Sequence, residues 1–152
     1  MMWYTHLVFA LLLALLVQSF VEHAAIFTLI VLFASLLPDI DQKDARIHRY
    51  LPFTRWIQLI FRHRGIFHSL LIPSLLFLVA SAFGYVEAGI AIALGYCSHL
   101  AMDSLTPHGV FYFYPLHQFH VKWFVKVGGA VEMAMFVGMM GSLAFLIWVQ
   151  VT

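Results

Sequence analysis

The chain of 152 residues is 63% hydrophobic and 10% charged, with a formal net charge of +1 at pH 7 and a mean hydropathy of +0.94. A soluble domain is about 45–50% apolar and about 25% charged, so this composition points to an integral membrane protein, with a length suited to one helical domain, residues 1–152. No Lys/Arg-rich face interleaved with aromatics supports a nucleic-acid partner, and the lone Cys97 excludes an internal disulfide or a Cys-based zinc site.

Five apolar stretches predict an all-α fold, a bundle of about five transmembrane or membrane-embedded helices. The first is Leu7–Phe20. It lacks a basic flank and a small-x-small cleavage site, so it reads as a retained helix, not a signal peptide. The second, Phe20–Leu37, has Glu22 and His23 near its start and runs into LLPDID, where Pro38 favours a turn. In the long segment Gln42–His68, the stretch Leu51–Phe61 carries Trp56 and Arg55 and suits an interfacial helix. The third helix is Ser69–Val86, with Pro73 early, and the fourth is Glu87–Met102. The aromatic, His-rich VFYFYPLHQFHVKWF follows. Its Tyr and Trp suit a headgroup belt; its alternation also fits a short strand, but an irregular or interfacial element is preferred. The fifth helix is Val127–Val149. A core of about 30 Å needs roughly 20 apolar residues, so helices 1, 2 and 4 are short and their polar ends should sink into the interface.

All eight Lys and Arg lie in two loops: Lys43, Arg46, Arg49, Arg55, Arg62 and Arg64 in one, Lys122 and Lys126 in the other. With five spans both loops share a side, which the positive-inside rule makes cytoplasmic. His6, Asp39, Asp41, His63, His68, His99, Asp103 and Glu132 then converge on that face. Glu22, His23 and Glu87 fall on the opposite one.

Ionisable groups at a bilayer edge are costly to retain, and Asp and His are the residues that bind zinc and similar ions. His99 and Asp103 stand four apart, on one helical face; alone, the pair equally fits a hydrogen bond locking a helix end. Asp39 and Asp41 are turn formers as single residues, but two carboxylates within three residues repel unless a cation or proton lies between them. His63 and His68 flank Arg64 and Gly65, where a tight turn would aim both rings one way. The bland alternative is a basic loop touching lipid phosphates. Arg64 has the planar fork that suits an oxyanion. His6 reads equally as an interfacial residue, and Glu132 lies deeper than a solvated acid should, so it needs a partner. Ser69 and Thr106 are placed to orient ligands through hydrogen bonds. His48, His108, His117 and His120 read as loop residues; Met133, Met135, Met139 and Met140 read as helix packing.

LLPDID, HRGIFHSLL and GYCSHLAMDSLTPHGV, followed by Tyr114-Pro115, together resemble the YdjM-like inner-membrane proteins of bacteria and archaea, described as LexA-regulated, membrane-bound, metal-dependent hydrolases. The likeness runs from His6 to Glu132. It implies a further, remote similarity to zinc-dependent phospholipase C and P1-type nucleases, all-helical enzymes with an HxxxD pair like His99–Asp103. Of their later HxxxE pair, Glu132 is present and Gly128 stands at the His position.

The resulting expectation is a membrane-embedded hydrolase of the inner membrane. One or two divalent ions, zinc foremost, would sit on His6, Asp39, Asp41, His63, His68, His99, Asp103 and Glu132. Asp39 or Asp41 would accept a proton from water, and Arg64 would hold the oxyanion. The substrate would be the phosphoester of a membrane lipid or a lipid-linked molecule at the cytoplasmic face. Two non-enzymatic rivals are a metal-binding transporter or sensor subunit, and a structural protein whose metal staples helix ends. A transport path would need ionisable groups at the bilayer midplane, whereas these gather at one face. The sequence carries no signal for oligomeric state.

Overall fold

The computed structural model describes residues 1–41 and 65–151. The chain is mostly helical, with five α-helices among the described residues: α1 Trp3–Val17, α2 Ala24–Ala34, α3 Leu71–Ala82, α4 Val86–Ser104 and α5 Ala130–Val151. Short 3-10 turns, Gln18–Phe20, Leu37–Asp41 and Ile66–His68, lie at helix ends. The aromatic segment is largely irregular. It also holds two short strands, β1 Val110–Phe111 and β2 His120–Val121, paired antiparallel with Val110 opposite Val121. The expected all-α fold thus gains one small hairpin. The expected interfacial helix Leu51–Phe61 lies outside the described residues.

α4 is the central helix, packed against α1, α2 and α3, while α5 packs chiefly against α1. Hydrophobic burial is no driving force between helices in lipid, so small residues that allow close approach carry the packing. Ala10 and Ala14, one turn apart on α1, are fully buried together with Phe27, Val31 and Ala91. On α4, a Cβ at Gly95 would fall onto the Val31 carbonyl oxygen of α2. Only glycine permits that crossing. A second cluster, Tyr96, Leu100 and Val110, closes the lower end of α4. There the Tyr96 hydroxyl donates to the Phe67 carbonyl (2.5 Å) and ties the Ile66–His68 turn to α4.

The five-span expectation is met only in part. Two segments, Trp3–Phe20 and Ala130–Val149, are long and apolar enough to cross a bilayer. α2 and α3 have 11 and 12 residues. At about 1.5 Å per residue neither traverses a core of about 30 Å. α4, with 19 residues, has the length, but Glu87, His99 and Asp103 dilute its hydropathy. Large apolar side chains nevertheless face outward on most helices, among them Leu29, Phe33, Leu78, Val137 and Trp148.

Candidate metal centre

Three histidines and an aspartate become buried, and a second aspartate half-buried, where four segments meet beside the lower half of α4. α1 brings His6 on the face that also buries Thr5, Ala10 and Ala14. The turn Leu37–Asp41 brings Asp39, because Pro38 follows the last turn of α2. The turn Ile66–His68 brings His68, held by Tyr96. α4 brings His99 and Asp103 one turn apart. His6, His68, His99 and Asp103 are no more than 1% exposed, whereas the Asp39 side chain is 19% exposed.

His99 sets the polarity of the cluster. Its Nδ1 lies 2.7 Å from the carbonyl oxygen of Ser35. Ser35 caps the end of α2, where helical carbonyls lack intrahelical partners. A carbonyl only accepts, so Nδ1 donates, and in the neutral ring Nε2 carries the lone pair. That nitrogen faces Asp39 Oδ1 at 3.5 Å and Asp103 Oδ2 at 3.7 Å. It has no hydrogen-bond partner among the described residues.

The other rings surround it. His6 stacks on His99, with ring centroids 3.9 Å apart and planes 10° from parallel, and its Nε2 is 3.4 Å from Asp103 Oδ1. His68 stands edge-on to His99 at 5.7 Å, its Nε2 3.7 Å from Asp103 Oδ2. The α-amino group of Met1 donates to Asp103 Oδ1 at 2.6 Å. Burial raises the pKa of Asp39 above its ordinary value, with His99 acting in the opposite sense.

Two sets of donor atoms result, His6–Asp39–His99 and His68–His99–Asp103, each with all its atoms within 4.8 Å of one another. Imidazole nitrogen and carboxylate oxygen are the donors zinc takes at about 2.0–2.2 Å, so the residues fit a divalent ion. Both sets share His99, whose Nδ1 is committed to Ser35. One ion at most can use that ring.

The remaining expected site residues fare differently. His63 and Arg64 lie outside the described residues, as does the side chain of Asp41. Glu132 is 2% exposed but belongs to neither donor set. It accepts hydrogen bonds from Met2 N (2.7 Å), Thr5 Oγ1 (2.9 Å) and Gly128 N (2.7 Å). These three donors are partners of the buried carboxylate. The Ser69 hydroxyl donates to the Ile66 carbonyl (2.7 Å) and that of Thr106 to the Asp103 carbonyl (2.8 Å). Both fix the backbone beside a donor residue, not the donor atom itself. A third group, Glu22, His23 and Glu87, is also close together. It is largely exposed and includes the hydrogen bond from His23 N to Glu87 Oε1 (3.1 Å). Ser35 and Thr5 escaped the sequence reading. Ser35 acts through its backbone carbonyl, which every residue possesses, and Thr5 through an acid 127 positions away.

Fold and site define a helical protein with two membrane-competent helices and a buried His/Asp cluster suited to a divalent ion. The chain belongs to the YdjM inner membrane protein family, whose model matches residues 1–151. It is also similar to the uncharacterized protein YvsG of Bacillus subtilis (strain 168), 28% identical over 110 residues, which cover 69% of this chain and 68% of YvsG. No solved structure matches it.

Proposed function

We propose that this protein is a metal-dependent hydrolase of the inner membrane that cleaves a phosphoester of a lipid or lipid-linked substrate at the cytoplasmic face. The observation that carries the reading is the His99 tautomer. A buried imidazole lone pair turned toward two aspartate side chains is a donor arrangement that a divalent ion takes. The fixed Nδ1–H to a backbone carbonyl is also how metal-binding histidines are oriented.

His99, His68 and Asp103 would hold the ion, with His6 and Asp39 completing the shell. A bound divalent ion lowers the pKa of coordinated water toward about 7 and polarises a phosphoryl oxygen. Asp39 is the cluster member open to solvent, which suits a proton acceptor. Arg64, and Asp41 as the alternative base, complete the proposal from the sequence. The cytoplasmic orientation rests on the Lys/Arg loops, and the phosphoester chemistry on the HxxxD likeness to zinc phospholipases C.

Elemental analysis of the detergent-purified protein should find zinc or another divalent metal. His99→Ala and Asp103→Ala should keep their helicity, lose the metal, and lose turnover measured by phosphorus NMR against a panel of lipid phosphoesters. Full metal content in both variants would sink the proposal. A second reading draws on the near-complete burial of four donors: the ion would only staple α1, α4 and the two turns. Unfolding on metal removal, with no hydrolysis of any panel member, would favour it.

A further inference from the structure

We infer that Glu132 is a positioning residue for the metal centre, one that acts through α1 and His6 instead of by ligation. The inference rests on the metal-binding reading of the His/Asp cluster. Met2, the N-cap of α1, gives that helix no side-chain cap of its own, yet the first N–H groups of a helix need acceptors. Glu132 supplies one from 130 positions away: its Oε1 takes both Met2 N and Thr5 Oγ1. Its Oε2 takes the N–H of Gly128, just ahead of α5. Gly128 has φ +71°, a left-handed conformation suited to glycine. A single carboxylate therefore serves the starts of two helices, where negative charge is favoured by both macrodipoles.

The consequence reaches the site through one residue. Thr5 is held by the clasp, and His6 is the next residue. α1 can neither slide nor rotate at its first turn without breaking the Glu132 bonds. That turn holds the His6 ring flat on His99 and 3.4 Å from Asp103. Because α5 packs chiefly on α1, Glu132 reaches the cluster by way of α1.

The test is a double-variant cycle on the full-length chain in detergent, titrated with Co2+ and read by its visible absorption. Glu132→Ala removes the acceptor of all three donors. It should weaken cobalt binding about 10–100-fold, the usual effect of removing a group that orients a ligand. His6→Ala should weaken it as well, and Glu132→Ala in the His6→Ala background should add nothing. The cobalt spectrum of Glu132→Ala should move toward that of His6→Ala. Wild-type affinity in Glu132→Ala, or losses that add in full, would overturn the inference, since a ligand or a general structural role predicts additivity. If the wild-type protein binds no cobalt or zinc, the metal reading itself falls, and this inference with it. Should Glu132→Ala lose its helicity, Thr5→Val takes its place in the cycle. It removes one donor of three, and a weakening that vanishes with His6→Ala is again the supporting result.

Discussion

At the residue scale, Asp39 carries the pH dependence that can be argued from its surroundings. Burial raises its pKa above the ordinary 3.8. Between those two values the folded protein binds more protons than the unfolded chain, so the Asp39 contribution to stability without metal falls as pH rises through the window. Metal affinity has the opposite slope: a proton on the carboxyl excludes the ion, so binding weakens as pH falls through the same window. The expected outcome is that Asp39→Asn removes part of both slopes. Melting curves of chelator-treated protein and metal isotherms, each measured against pH for both proteins, check it. Equal slopes in the two proteins would refute the assignment. The residues of the donor cluster were legible in the sequence because each adjoins an apolar run, where a charge or imidazole is conspicuous. The Ser35 carbonyl was not, since a backbone acceptor leaves no mark on residue identity.

At the element scale, the five apolar stretches appear as five helices, and their boundaries moved for identifiable reasons. α1 begins at Trp3 instead of Leu7, because its cap comes from Glu132, which no local pattern can reveal. α4 runs on to Ser104 instead of Met102, so Asp103 stays in helical register with His99. α2 and α3 are shorter than their apolar stretches, which removes them as independent spans. The crossing of α2 and α4 supplies a sharp prediction. Gly95→Ala must displace the Val31 carbonyl or the helix itself. It should cost about 1–3 kcal/mol as an overpacked contact. Because Val31 precedes Ser35 by one turn, the same shift should loosen the His99 hydrogen bond and reduce metal content. A thermal melt with elemental analysis tests both; Gly95→Ala protein with unchanged melting temperature and metal load would contradict the packing argument.

At the scale of the whole molecule, the cluster links α1, α4 and the turns after α2 and before α3. An ion bound there is bound by the folded state, since the unfolded chain scatters the donors. Free metal at 100 times its dissociation constant should therefore stabilise the fold by about 2.7 kcal/mol. Chelation should lower the melting temperature of the wild type but leave that of a metal-free His99→Ala variant unmoved. Unequal exposure of the donors also bears on exchange. Among the described residues four donors are sealed and Asp39 is partly open, so a bound ion would leave past Asp39. Departure should then be limited by opening at the Asp39 turn, with a rate independent of chelator concentration once chelator is in excess. Shortening that side chain should hasten loss more than it weakens equilibrium binding. Such a centre would hold its metal by slow release as much as by affinity, and would keep it through transient shortage of the ion around the membrane.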